Sequence, residues 1–288
     1  MGVPLPSALP HGDGHVPHGA RIVSAPVLAR ALACLLLLGL PHGAAAQMTH
    51  DHAGHGAPPA SAPATGDPGD PAPFGSPVMD QHVFYHLMLN QLEGRFGATN
   101  SFRWSGEGWL GTDQHRLWLR SEGKLADGKV DDGQQELLYA RPISTYFNAM
   151  IGGRYDLDSA PGRGWGAIGI EGLAPLFFRV AATGYVGGDG RLAAKLEGSY
   201  DLLLTQKLVL QPQVEMNFYS KADAERDLGS GLAEIDAGLR LRYEITRKVA
   251  PYVGVTYTGK FGGTADFARA AGHATDEVRF AIGLRTWF

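Results

Sequence analysis

The stretch Arg191–Leu202 reads RLAAKLEGSYDL and alternates between two kinds of position. One phase holds only Leu, Ala, Gly and Tyr, while the other carries the charged residues and the serine. Strict alternation over twelve residues predicts a β-strand with one apolar face and one polar face. The same period recurs in Ile235–Thr246, Leu208–Tyr219 and Phe147–Asp156, so several such strands are expected.

Twelve segments follow this pattern. Each is roughly 10–13 residues long, which exceeds the usual strand mode of about 5–6 residues and is close to the ~9–11 that a tilted transmembrane strand needs. The predicted strand centres are Leu89, Gly106, Leu119, Leu138, Ala149, Ile168, Ala181, Leu196, Gln213, Leu239, Val255 and Leu284.

The connections between these segments differ in length. Most of the odd-numbered ones are longer, and the two longest cover residues 220–232 and 261–274. Bacterial outer-membrane barrels have short periplasmic turns and longer external loops, so the pattern fits a barrel with its even-numbered connections in the periplasm. Pro212 lies inside a predicted strand, and because proline cannot donate to the ladder, we expect a bulge there.

Alternation alone fits two architectures. The apolar faces pack against each other in a soluble sandwich, whereas in an outer-membrane barrel they face lipid and the charged faces line the lumen. The last strand favours the barrel, because its apolar phase runs from Phe280 to Phe288, the terminal aromatic typical of outer-membrane assembly signals. We therefore predict an all-β fold, a twelve-stranded antiparallel transmembrane β-barrel with a disordered N-terminal tail.

Composition limits the function. Gly is 40 of 288 residues, which disfavours a mostly helical protein, and the net charge of -4 argues against nucleic-acid binding. The single cysteine, Cys34, excludes an internal disulfide and a cysteine zinc cluster.

The chain divides near residue 78. Residues 1–78 hold 13 of the 18 prolines and few charges, which predicts disorder. Within them, Arg30, the apolar run Ala31–Leu40 and the small residues 44–46 predict a signal peptide over residues 1–46. Residues 47–78 are then a His/Met/Pro-rich periplasmic tail, and residues 79–288 form the barrel in the outer membrane.

Two groups of residues carry metal-ligand chemistry. The tail group is Met48, His50, His52 and His55. The group at the start of the barrel is Met79, Asp80, His82, His86 and Met88. Imidazole suits copper and zinc, and thioether suits Cu(I), so the methionines favour a copper ion. The spacing of His82, His86 and Met88 predicts one shared strand face. The same histidines also fit a solvated linker and polar residues at a membrane interface.

Further charged residues take the polar phase of their strands. These are Arg154, Glu171, Arg179, Lys195, Glu197, Glu215, Arg240, Arg242, Glu244 and Arg285. They fit either a salt-bridge network that fills a narrow lumen or an ion path. Catalysis has little support, because only His115 and His273 of the folded region lie outside the metal groups, in a predicted turn and a predicted loop.

The folded region resembles the copper resistance protein B family of outer-membrane proteins. The resemblance covers about residues 79–288 and rests on several segments together: Gln91–Glu93, Arg116–Gly123, Gly172–Pro175, Ser199–Gln206, Gly229–Gly231, Arg240–Glu244, Ala250–Gly254, Lys260–Arg269 and Trp287–Phe288.

This resemblance implies copper binding on the periplasmic side, a metal-rich N-terminal region and a role in copper tolerance. The tail has fewer Met and His residues than family tails, which often carry repeated Met and His runs. This favours the group between Met79 and Met88 as the copper site. We expect copper to be stored there or passed through the barrel. Outer-membrane lipid and periplasmic copper-handling proteins are the expected partners, and the oligomeric state stays open. The alternatives are a general channel and a barrel lipid hydrolase.

Overall fold

The computed structural model describes residues 82–126, 128–157 and 162–288. The predicted signal peptide and tail lie outside these residues. The strands are β1 Phe84–Phe96, β2 Ser101–Gly111, β3 Arg116–Ala126, β4 Lys129–Pro142, β5 Phe147–Asp156, β6 Arg163–Ala174, β7 Phe178–Gly187, β8 Leu192–Ser199, β9 Leu202–Leu203, β10 Leu208–Tyr219, β11 Gly231–Tyr243, β12 Val249–Lys260 and β13 Asp276–Trp287.

Twelve long antiparallel strands close into a barrel, and each contains one of the predicted centres. Every long strand pairs with its sequence neighbours, and β1 pairs with β13 to complete the circle. The two-residue β9 only extends the hairpin between β8 and β10. Among the described residues, no helix is both long and apolar enough to cross a membrane.

Burial is inverted relative to a soluble protein. Leu239 on β11 is 49% exposed, whereas the next residue, Arg240, is 2% exposed. Exposed aliphatic side chains recur on β6 and β13, where Ile168 and Ile282 face outward. A soluble sandwich would bury these faces, so the outward apolar surface and the charged interior identify a lipid-facing barrel.

The two ends of the barrel differ in their connections. At the short-turn end lie residues 112–115, 143–146, 175–177, 200–207 and 244–248, together with the start of β1 and the end of β13. At the long-loop end, the two longest connections are residues 220–230 and 261–275, as predicted. Residues 261–275 contain a helix, α1 (Gly262–Ala270), which the sequence analysis did not predict.

Close contacts hold α1 against the neighbouring loop. The Thr264 hydroxyl accepts a hydrogen bond from the Gly229 amide at 2.8 Å. A Cβ on Gly229 would come within 2.3 Å of the Thr264 nitrogen, so only glycine fits.

Asp223 ties further segments together at the long-loop end. Its Oδ2 accepts a hydrogen bond from Arg163 at 2.6 Å and also contacts Arg191. Burial alone would raise the pKa of the Asp223 carboxyl, but the hydrogen bond from Arg163 and the charges of both guanidinium groups outweigh it and hold that pKa below its ordinary value.

An irregularity in β1 sets the direction of its side chains. The register with β2 and with β13 shifts after Leu89, which leaves Asn90 as an extra residue. His86 and Met88 line an interior cavity before the shift, and Glu93 is buried after it. Before the bulge the even-numbered side chains of β1 point into the barrel, and after it the odd-numbered ones do.

The expectation of a bulge at Pro212 is wrong. Pro212 pairs with Leu239, and the register with β11 is unbroken from Leu208 to Asn217. On its other side the neighbouring strand is interrupted between β8 and β9, and the Pro212 carbonyl accepts a hydrogen bond from the Tyr200 amide at 3.1 Å. The missing proline donor therefore faces a gap in the partner strand, and β10 needs no bulge.

Candidate metal site at the short-turn end

A cavity of about 340 Å³ opens at the short-turn end, and we call it the vestibule. It is lined by His86, Met88, Arg179, Asp201, Arg242, Glu244, Arg247, Lys248, Ala250, Arg285 and Trp287. Two of the predicted metal ligands, His86 and Met88, thus reach the same interior space.

His86 lies between two indole rings. Its ring centroid is 6.2 Å from that of Trp109 on β2 and 5.9 Å from that of Trp287 on β13. These contacts restrict the imidazole orientation, and neither ring nitrogen forms a hydrogen bond with a described residue. A partly buried imidazole held in this way has a nitrogen available for a metal ion.

Met88 follows two residues later on the same face of β1. It is 7% exposed, and its Sδ accepts a weak hydrogen bond from Arg285 Nη2 at 3.4 Å. Closure of the barrel brings this thioether beside Arg285, because β1 pairs with β13.

Of the other predicted ligands, His82 is described but does not line this cavity, and the rest are outside the described residues. His82 is exposed and precedes β1, with its ring 6.4 Å from that of Phe84. Met79, Asp80, Met48, His50, His52 and His55 lie outside the described residues. The ligand assignment therefore stays a prediction.

The vestibule is rich in positive charge, and strand periodicity predicts only part of it. Arg179, Arg242 and Arg285 were predicted to line the lumen, whereas the cationic Arg247 and Lys248 were not singled out. The lining acids are Asp201 and Glu244. Because Arg247 and Lys248 lie in a turn, strand periodicity carried no signal for them.

Beyond the vestibule the lumen is filled with ion pairs. Lys195 Nζ lies 2.6 Å from a Glu122 carboxylate oxygen and within 3.9 Å of Glu197 and Glu215. Carboxylate oxygens of these three glutamates lie within 4.8 Å of one another. Arg103 also pairs with Glu215 at 2.6 Å. Because Lys195 and Arg103 already bind these carboxylates, we do not assign the cluster as a metal site.

Glu93 organises a second cluster. Its carboxylate accepts hydrogen bonds from Arg95 at 2.7 Å, from Arg240 at 2.9 Å and from the Tyr252 hydroxyl at 2.9 Å. Arg95 also donates to Asp236. Glu93, Arg95 and Arg240 are at most 2% exposed, so side chains pack the lumen at this level.

A second cavity of about 220 Å³ adjoins the vestibule and reaches the Lys195 cluster at Glu122. It shares Arg179, Asp201 and Arg285 with the vestibule. Glu171 and Glu197 line it as well, in agreement with their predicted inward phase.

Comparisons with known proteins identify the family. The family model described as copper resistance protein B precursor (CopB) matches residues 83–288. Copper resistance protein B of Escherichia coli is 41% identical over 215 residues, which is 74% of this chain and 73% of that protein. The chain belongs to the copper resistance protein B family. A copper resistance protein B homolog of Pseudomonas syringae pv. tomato has the same identity and coverage.

Porins are among the similar solved structures. The NanC porin has a TM-score of 0.46 at 13% identity and covers 70% of this chain and 99% of that one. The KdgM porin has a TM-score of 0.43 at the same identity, with the same coverage. The family and the vestibule, rather than these porins, carry the functional argument.

The copper resistance protein B match begins at residue 83. It therefore includes His86 and Met88, whereas His82 lies just before it. Family membership supports a role in copper resistance and leaves the ligands to be assigned from geometry.

The surroundings of His115 do not favour a hydrolase in this copper resistance protein B barrel. Its Nδ1 is hydrogen-bonded to the Tyr139 hydroxyl, and the two rings stack. Among the described residues, no serine or asparagine side chain is hydrogen-bonded to it. His273 lies in the long connection 261–275, at the other end of the barrel.

Proposed function

We propose that this protein binds copper at the vestibule and contributes in this way to copper resistance. The observation that carries the proposal is the presence of one imidazole and one thioether, His86 and Met88, in a single cavity of a copper resistance protein B barrel. This donor pair fits copper, since thioether favours Cu(I) and imidazole binds copper well.

Two donors leave room for further ligands. His82 precedes β1 at the same end, and Met79 and Asp80 come shortly before it in sequence. They are our proposed additional ligands, with Met48, His50, His52 and His55 as auxiliaries in the tail. The tail histidines then raise the local copper concentration near the vestibule.

We place the short-turn end in the periplasm and the barrel in the outer membrane. The predicted signal peptide supports export, and short periplasmic turns with longer external loops are usual for such barrels. The N-terminal tail then lies in the periplasm, where copper-handling proteins reach it. Outer-membrane lipid surrounds the apolar outer face.

We propose that copper is held at the vestibule rather than passed freely through the barrel. The clusters around Glu93 and Lys195 fill the lumen with buried, paired side chains. An ion crossing this level has to displace charged groups from their partners, which is costly in a poorly hydrated interior. This arrangement supports a binding role over a general channel.

Copper titration of the purified mature protein tests the proposal. The double variant His86→Ala/Met88→Leu is expected to bind the first Cu(I) equivalent about 100-fold or more weakly, because even outer-shell partners of metal ligands are worth about 10–100-fold in affinity. A competing chelator of known affinity provides the readout.

The matched control is His115→Ala, which removes an imidazole at the same end but outside the vestibule. Its Cu(I) affinity is expected to equal that of the unmodified protein. Equal affinities in the double variant and the unmodified protein would refute the assignment of copper to His86 and Met88.

A further inference from the structure

The vestibule carries more positive than negative charge. Five cationic side chains line it, against the carboxylates of Asp201 and Glu244. In the two clusters deeper in the lumen, carboxylates surround Lys195, and Glu93 together with Asp236 balances Arg95 and Arg240. The excess of cations is therefore a local property of the short-turn end.

The available carboxylates are shared. Asp201 Oδ2 lies 3.1 Å from Arg242 and 3.7 Å from Arg285, and Arg242 also lies 3.6 Å from Glu244. Arg179 forms neither an ion pair nor a hydrogen bond with any described residue. The charge of Arg179 acts on Glu171 in the adjoining cavity without a direct ion pair, while Arg242 and Arg285 share one carboxylate.

This charge pattern weakens the binding of copper that arrives as a bare cation. A free copper ion beside His86 and Met88 is repelled by the surrounding guanidinium and ammonium groups. A carboxylate anion offsets this repulsion, because it pairs with arginine in a bidentate geometry and coordinates copper through its oxygens.

We propose that the vestibule is a binding site for a small polycarboxylate anion and receives copper as an anionic carboxylate complex. Arg179 on β7 supplies a guanidinium group without a direct ion pair, and Arg285 on β13 and Arg247 line the same cavity. A cavity of about 340 Å³ lies within the usual range of small-molecule sites, about 300–1,000 Å³. The copper half of this inference rests on the proposed function, whereas the anion half does not.

Calorimetric titration of the full mature protein with metal-free citrate tests the anion half. Citrate is expected to bind, and added salt is expected to weaken binding because it screens the charges. Arg179→Gln is expected to lower the affinity about tenfold, as for loss of a charged hydrogen bond. The fold should be little affected, since Arg179 has no hydrogen bond and no direct ion pair to lose.

Lys207→Gln is the matched control. It removes one positive charge from an exposed turn residue at the same end that does not line the vestibule. Its citrate affinity is expected to match that of the unmodified protein. Absence of citrate binding, or an equal loss in both variants, would overturn the proposed anion site.

Two further arms separate the claims. Copper(II)–citrate is expected to bind more tightly than citrate alone, and this gain should vanish in His86→Ala, because imidazole is the donor of the pair that also suits copper(II). Citrate binding without any such gain overturns the copper half and leaves the anion site standing. A last variant changes Asp51, Asp67, Asp70 and Asp80 to Asn. If it binds citrate more tightly, the chain's own carboxylates occupy the vestibule, and the proposal that the site takes an anion from solution is overturned.

Discussion

Replacing Glu93 by alanine is expected to destabilise the barrel by about 3–5 kcal/mol, the cost of removing one partner from a buried ion pair. The carboxylate is fully buried and accepts hydrogen bonds from Arg95, Arg240 and Tyr252. Its removal leaves two guanidinium groups in the lumen without their shared anion. Urea-dependent unfolding from lipid vesicles, followed by the mobility difference between folded and unfolded barrel on a gel, measures the change.

Glu244→Ala is the control for this variant. Glu244 lies in the wider vestibule, its side chain is 36% exposed, and its ion pair with Arg242 spans 3.6 Å. Loss of such a solvated pair is expected to cost at most about 1 kcal/mol. If Glu93→Ala unfolds at the same urea concentration as Glu244→Ala, the buried network does not stabilise the barrel in the way we describe.

Leu239→Arg is the second variant with a large expected effect. Leu239 faces outward from β11 and pairs with Val255 on one side and Pro212 on the other. An arginine at this position has to enter the hydrocarbon of the membrane. Near the midplane this lowers the stability of an outer-membrane barrel by about 2–4 kcal/mol. The same unfolding experiment applies.

Leu204→Arg provides a control with equal exposure. Leu204 and Leu239 are both 49% exposed, but Leu204 lies in the turn between β9 and β10. Near the membrane interface the same substitution is expected to cost about 0–1 kcal/mol. Equal costs at both positions would mean that exposure to lipid does not distinguish them, contrary to the barrel description.

The strand pattern was predictable because the fold demands it. A closed barrel with lipid outside and charge inside requires alternation in every long strand, so each of the twelve centres from Leu89 to Leu284 falls in a strand. The same logic placed Arg240 and Lys195 in the lumen, where both are buried.

Other features depend on contacts between residues far apart in the chain. Pairing of Glu93 with Arg240 joins β1 to β11, and the vestibule forms only when β13 brings Arg285 beside Met88. The phase change at Asn90 depends on register with both neighbouring strands. Local periodicity therefore carried no signal for the bulge, for the partner of each lumen charge or for the cationic vestibule.

X-ray absorption at the copper edge, on the mature protein with one equivalent of Cu(I), tests the central claim most directly. We predict a copper shell that contains imidazole nitrogen and thioether sulfur, with the sulfur contribution reduced in Met88→Leu and the imidazole contribution reduced in His86→Ala. A shell of oxygen and nitrogen alone, or a spectrum unchanged by both substitutions, would contradict copper binding by His86 and Met88 in the vestibule.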